Sequence, residues 1–173
     1  GEAKRDKCKA GVHATNYGVF PRKLAATLGI TIREAEEFIN KWFGAHPGIR
    51  KWHQRTEESL NTRGYIKNKF GARIYKIGRA NLPEFYAWLP QSTVAGVINR
   101  ALVAIDKEQQ LGHTSIELLL QVHDSLGGQF LTAKKDIEVE NLTRLASITI
   151  PYSDPLVIPI GVKTSTASWG GCV

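Results

Sequence analysis

Gly64 separates two patterns, and that change of period is what most limits the folds open to this chain. Before it, apolar residues recur at helical spacing between glycine and proline stops; after it, YIKNKFGARIYKIGR alternates around a Gly71 turn. The chain therefore has to combine helices with hairpins, an α+β assembly. In TIRE, the Thr31 hydroxyl can cap a backbone amide while Glu34 reaches back, and Ala35, Phe38, Ile39, Trp42 and Phe43 follow on one helical period. PRKLAATLG reads as a shorter helix with Pro21 in its first turn and Gly29 as its stop. A further helix carries Ile49, Trp52, Thr56 and Leu60 on one side up to Gly64. The alternating stretch predicts a short basic hairpin. Its Lys67, Lys69, Arg73, Lys76 and Arg79 suit either phosphate contacts or protection of a strand edge.

A long helical region is predicted from Pro83 to about Gln110, interrupted at Pro90, where the ring removes an amide donor and favours a kink. In SIELLLQVHDSLGGQF, the apolar run Leu118 to Leu120 with Val122 predicts a buried strand, and Leu126 to Phe130 its partner. His123 and Asp124 then fall at the turn. A carboxylate on a hairpin tip is rigidly aimed, as metal-dependent phosphoryl transfer requires, although an Asp at a turn also serves simply to bond local amides. The helix expected from Ala133 to Ala146 turns Ile137, Leu142 and Leu145 inward. LVIPIGVKTS should add a strand, at an edge or irregular because of Pro159.

At 173 residues the chain can bury a real core, and its net charge of +7 suits a polyanionic partner, since each neutralised phosphate releases counterions. Two cysteines, Cys8 and Cys172, provide neither a disulfide framework nor a metal-ligand spacing, so a reducing cytoplasm is the expected compartment. No apolar run is long enough to cross a bilayer, so no membrane partner is expected. The chain contains no methionine, even at position 1, which suggests a piece of a longer product whose missing part lies upstream.

In RDKCKAGVHATNYG, the residues Arg5, Lys9, His13 and Tyr17 recur every fourth position. On a helix they form a stripe about 18 Å long, cationic at one end and aromatic at the other. Such a stripe suits a nucleotide, with phosphates beside Arg5 and Lys9 and sugar and base beside His13 and Tyr17. The same spacing also describes an ordinary solvated helix face.

The chain resembles the family A DNA polymerases, the group related to bacterial DNA polymerase I, and looks closest to its phage members. The resemblance rests on three stretches in order: R-x3-K-x3-H-x3-YG from Arg5 to Gly18, PQST around Gln91, and QVHDS from Gln121 to Ser125. FGAR at Phe70 to Arg73 and WG near Trp169 extend it over nearly the whole chain. It implies part of the right-hand polymerase fold: helical fingers over residues 1–80 and the C-terminal part of the palm over 81–173.

By that resemblance, Arg5 and Lys9 hold the triphosphate of an incoming dNTP, and Lys9 is also the proton donor to pyrophosphate. His13 faces the sugar, and Tyr17 sits where the template base meets the nascent pair. Arg73, Gln91, Gln121 and His123 contact primer-template DNA. Asp124 is one carboxylate of a two-metal Mg2+ site. The second lies upstream in the family, so the isolated chain is expected to be inactive until joined by the upstream thumb and remaining palm, in the same parent chain or as a separate subunit. The resemblance also implies a cytoplasmic setting, in a bacterial or phage-infected cell. Departures are His13 where Phe or Tyr is usual, Ala14 where phage relatives tend to have Gly, Ser125 where many members have Glu, and Gly127 and Gly128 in place of larger apolar residues. Two other classes of function are compatible with parts of the sequence. One is a noncatalytic nucleic-acid-binding piece or degenerate polymerase relative; the other is a metal-dependent phosphohydrolase using His123 and Asp124.

Overall fold

The computed structural model describes residues 2–78 and 81–172, with side chains from Arg5 onward. Arg79 of the basic hairpin lies outside the described residues. The chain divides into two compact units, Gly1–Pro90 and Gln91–Val173, each with its own core.

The first unit opens with helix α1 (Glu2–Asn16), followed by α2 (Pro21–Leu28), α3 (Ile32–Ala45) and α4 (Pro47–Arg63). Glycine-dependent hydrogen bonds stop α1: Gly18 adopts φ 73°, its amide donates to the Thr15 carbonyl, and the Val19 amide donates to Ala14. That pair of bonds satisfies the last carbonyls of the helix and needs a residue tolerant of the left-handed region. The expected capping box of α3 is formed, with the Glu34 amide donating to Thr31 Oγ1 and the Thr31 amide donating to the Glu34 carboxylate at 2.8 Å. These bonds hold the Glu34 carboxyl below the usual range. Leu24, Ala25 and Ala35 form one buried cluster, with Ala14, Val19, Leu28, Ile30, Phe38 and Ile39 packed around it. Full burial of Leu24 contributes on the order of 2 kcal/mol and locks the α2–α3 pair.

Gly64, at φ 73°, ends α4 and turns the chain into the hairpin β1 (Tyr65–Lys67) and β2 (Arg73–Tyr75). Tyr65 pairs with Tyr75, and Lys67 with Arg73. Leu60, Ile66 and Phe85 join α4, this hairpin and the start of α5 (Leu82–Gln110) in a second cluster. The helix α5 runs unbroken through Pro90, contrary to the interruption expected there. Proline withholds one amide donor, and the helical bonds on either side of it carry the assignment through.

The second unit holds the remainder of α5, the hairpin β3 (Glu117–Val122) and β4 (Ser125–Gln129), α6 (Lys135–Ala146) and a small pair, β5 (Thr149–Ile150) and β6 (Leu156–Val157). Ile105, Ile116 and Leu145 are buried together, flanked by Ala104, Leu118, Leu126, Phe130 and Leu142. Thus α5 and α6 both pack on the hairpin that carries Asp124.

Four expectations about this unit need correction. The apolar run of β3 is not a buried strand: Leu119 is 61% and Val122 47% exposed, because the strand bulges at Leu119 and packs on the core by one face. The glycines of β4 fit that bulge. A Cβ on Gly128 would stand 2.7 Å from the Glu117 carbonyl oxygen, and one on Gly127 would press on Leu120 at 3.0 Å. The α-helix begins at Lys135, after a tight turn over Thr132–Lys134, and Ile137 points outward with 62% exposure. Glu138 takes the inward position instead, at 1% exposure. Finally, the LVIPIGVKTS strand reduces to Leu156–Val157 and stops before Pro159.

The Glu138 carboxylate is sustained by a full set of donors: the Thr114 hydroxyl, the amide and hydroxyl of Ser115 at 2.8 Å each, and Asn141 Nδ2 at 3.1 Å. Burial opposes its ionisation, but those hydrogen bonds outweigh burial and hold its pKa down to about 2. Glu138 therefore pins α6 to the segment that starts β3.

Candidate nucleotide and nucleic-acid site

Helix α1 carries the stripe as expected. Arg5, Lys9 and His13 are exposed on it, and Tyr17, half-buried, is the residue that caps its C-terminal end. The His13 and Tyr17 rings lie 6.1 Å apart, tilted by 50°. Each step of four residues rises about 6 Å, which separates cations from rings along one face.

The aromatic end of the stripe is held by residues from three other elements. Asn16, the last helical residue, accepts a hydrogen bond at Oδ1 from Trp42 Nε1 at 2.8 Å. Its backbone carbonyl lies 2.8 Å from His53 Nε2, a contact that places the proton on that nitrogen. The His53 ring stacks on Tyr86 at 3.8 Å and 10°, and the Tyr86 hydroxyl donates to the Glu57 carboxylate. Burial pulls the His53 pKa below the usual range, against the Asn16 bond and the nearby Glu57 charge, so the ring is neutral at neutral pH. Burial and the Glu57 bond push the Tyr86 phenol upward, which keeps it protonated as the donor. An open groove of about 240 Å³, lined by Phe43, Arg50, His53, Gln54 and Glu57, lies beside this cluster.

Residue types alone identify Trp42 only as an apolar helix position and give His53 no role. Nothing in the spacing singles out Asn16 or Tyr86. A usable signal was present: a half-buried tryptophan needs an acceptor for its indole N–H, and a helix-terminal Asn can provide one.

In the basic hairpin, Arg73 lies over the Tyr65 ring at 4.8 Å, and Tyr65 meets Tyr75 at 5.4 Å. Lys67 and Arg73 are exposed, while Lys76 Nζ donates to Asn61 Oδ1 at 3.1 Å. This joins cations to aromatic faces, a combination suited to backbone phosphates and unpaired bases.

In the second unit, Gln91 is exposed on α5, and Gln121, His123 and Asp124 are exposed around the tip of the β3–β4 hairpin. Val122 pairs with Ser125, so His123 and Asp124 form a two-residue turn. His123 has φ 52°, the non-glycine residue with positive φ among the described residues. Gln121 Nε2 donates to the His123 carbonyl at 3.3 Å, a long bond across the turn. The Asp124 carboxylate makes no side-chain hydrogen bond or ion pair among the described residues. It is therefore not spent on local amides. The described residues include no group of three or more His, Cys, Asp or Glu side chains able to hold a metal ion between them. Among the same residues, no helix is long and apolar enough to cross a membrane.

Comparison with known proteins gives a consistent picture. The model of DNA polymerase family A matches residues 1–170. DNA polymerase I of Pseudomonas aeruginosa is 28% identical over 94% of this chain, and the thermostable DNA polymerase I of Thermus aquaticus 30% identical over 85%. The chain spans 19% and 18% of the lengths of those two relatives. Among solved structures, the POL domain of Pol1 from M. smegmatis, in complex with DNA primer-template and dNTP, superposes with a TM-score of 0.73. It is 22% identical, with 83% of this chain and 27% of that one covered. The likeness supports a partial polymerase fold of mixed helices and strands.

Proposed function

The chain belongs to DNA polymerase family A, and from that premise we propose that it takes part in template-directed DNA synthesis, transferring a nucleotidyl group from a dNTP to a primer 3′ hydroxyl. The observation that carries the proposal is Asp124: an exposed carboxylate without a local partner, displayed on a tight turn that two packed helices hold in place. In this reading, residues 1–80 act as fingers and 81–173 as the C-terminal part of the palm. Arg5 and Lys9 neutralise the triphosphate, His13 lies against the sugar, and Tyr17 borders the template base and nascent pair. Arg73, Gln91, Gln121 and His123 hold primer and template.

The reaction forms a bond between the primer 3′ oxygen, whose proton passes to solvent, and the α-phosphorus, and breaks the bond from that phosphorus to pyrophosphate. Lys9 gives a proton to the departing pyrophosphate. Asp124, a hard oxygen ligand with no competing contact among the described residues, would hold magnesium together with a carboxylate from an upstream palm strand. Bound magnesium stabilises the attacking and leaving oxygens of such an in-line displacement. With a single suitable carboxylate among the described residues, the chain in this reading needs the upstream thumb and remaining palm, joined to it or supplied as a partner.

Primer extension tests this directly. The chain alone should not extend a primer, addition of a polypeptide carrying the upstream palm and thumb should restore extension, and Asp124→Asn in the chain should lower it by about a hundredfold or more. Undiminished extension by Asp124→Asn would remove that acid from the mechanism. Binding of DNA with steep salt dependence, but no response to dNTP or magnesium in the combined sample, would identify a noncatalytic nucleic-acid-binding role instead.

A further inference from the structure

We propose that Trp42 and His53 are positioning residues for Tyr17: by gripping Asn16 they fix the direction in which the Tyr17 ring leaves the end of α1, and with it selection of the nascent base pair. The role given to Tyr17 rests on the polymerase reading; the grip itself rests on geometry within the first unit.

Tyr17 is flanked on both sides by restrained residues. On its N-terminal side, Asn16 is bonded through its side chain to Trp42 of α3 and through its carbonyl to His53 of α4, each at 2.8 Å. On its C-terminal side, Gly18 at φ 73° lies so close to Tyr86 that a Cβ would stand 3.0 Å from two carbons of the ring. His53 and Tyr86 stack on each other, so both restraints share one aromatic block. That block is anchored by the Tyr86 bond to Glu57 and by the edge contact of Phe43 with His53 at 5.7 Å.

The Tyr17 side chain, by contrast, has the His13 ring as its aromatic neighbour and is only half-buried. Its direction is therefore set chiefly through its backbone. The last turn of α1 carries that constraint, because the Tyr17 amide donates to the His13 carbonyl at 3.2 Å and Gly18 to Thr15 at 3.0 Å. Such a device keeps a half-buried recognition ring in place without covering it fully, as a binding surface requires. The Asn16 side chain is the point at which it can be disconnected, since Trp42 donates to a single oxygen there.

The test places 3-fluorotyrosine at position 17 of the full chain and follows its fluorine resonance. Asn16→Leu, Trp42→Phe and His53→Phe should each shift and broaden the resonance. Asn16→Asp, which keeps the acceptor for Trp42, should return it to the parent position, and the Asn16→Leu/Trp42→Phe pair should match either single change. Joined to the upstream polymerase part, Asn16→Leu should raise the KM for the correct dNTP by about tenfold, the scale of one lost hydrogen bond, with kcat within about twofold. Asn16→Asp should restore it. An unmoved fluorine resonance in Asn16→Leu, or Asn16→Asp behaving as Asn16→Leu, overturns the proposal. A resonance that responds as described in a chain whose combined sample never extends a primer leaves the grip standing and refutes the polymerase reading. If Trp42→Phe unfolds the chain, Asn16→Leu and Asn16→Asp carry the same test from the other end of the bond.

Discussion

The two longer hairpins end in turns built on opposite terms. In the first, Asn68 is buried, and its side-chain oxygen accepts from the amides of Phe70 and Ala72 at 3.0 Å each, while Gly71 takes the φ of 95° that the turn requires. Its polar residue is consumed in making the turn. The second hairpin places no glycine at its tip: His123 takes a positive φ itself, and Asp124 contributes no hydrogen bond to the local backbone. The difference teaches that a hairpin can use its polar tip residue for stability or hold it in reserve for chemistry. The hairpin around Asp124 obtains its rigidity elsewhere, from Leu118 and Leu126 packed against α5 and α6.

The sharpest separation comes from removing one charge. Asp124→Asn should lower extension by the combined polymerase by about a hundredfold or more, as loss of the proposed metal ligand implies. Its unfolding free energy should stay within about 0.5 kcal/mol of the parent, as for other exposed positions without partners. A large drop in stability would show that the acid is part of the turn after all.

Glu138 is the counterpart of Asp124 in the same unit, a carboxylate wholly committed to structure. Glu138→Ala leaves the Thr114, Ser115 and Asn141 donors without their acceptor and should cost about 3 kcal/mol in urea unfolding. Its folded pKa of about 2 lies below the usual carboxylate range. Its contribution is therefore complete above the unfolded pKa and lost as the pH falls through that range toward 2. Glu138→Gln should flatten this acid-side loss, whereas Asp124→Asn should leave it unchanged. Next in size is Asn68→Ala, which strands two turn amides and should cost about 2 kcal/mol in the first unit. The same measurement distinguishes it from Asp124→Asn.

Helix ends and the basic hairpin were legible in the sequence because their signals are local. Thr31 with Glu34, Pro21 with Gly29, and Gly64 each act within a turn or two of the chain. The stripe on α1 and the turn at His123 and Asp124 were legible for the same reason: both follow from spacing along one element. What stayed hidden depends on residues distant in sequence. Trp42 meets Asn16, and Glu57 meets Tyr86, across 26 and 29 positions, and no periodicity encodes such a bond. Hydropathy also misjudged α6, because Ile137 looks like the core residue and Glu138 does not. What hydropathy cannot show is that donors at Thr114, Ser115 and Asn141 await the carboxylate in the inward position. The run Leu118 to Leu120 misled similarly, since the bulge at Leu119 is imposed by the partner strand and its glycines.

The smallest effect probes what holds the His123–Asp124 turn in its shape. A non-glycine residue at φ 52° carries steric cost from its Cβ, which glycine does not. His123→Gly should therefore stabilise the second unit by about 0.5 kcal/mol, the steric relief being partly offset by the larger entropy of glycine in the unfolded chain. The His side chain, exposed and proposed to touch DNA, would be lost in the same change. Stability should rise while extension falls, the opposite pairing to Asn68→Ala, where stability falls and the proposed chemistry of the second unit is untouched. If His123→Gly instead destabilises the hairpin, the imidazole is structural, and the two tips differ less than their backbones suggest. Urea unfolding of His123→Gly beside His123→Ala decides between these, because alanine removes the imidazole but keeps the Cβ and its strain.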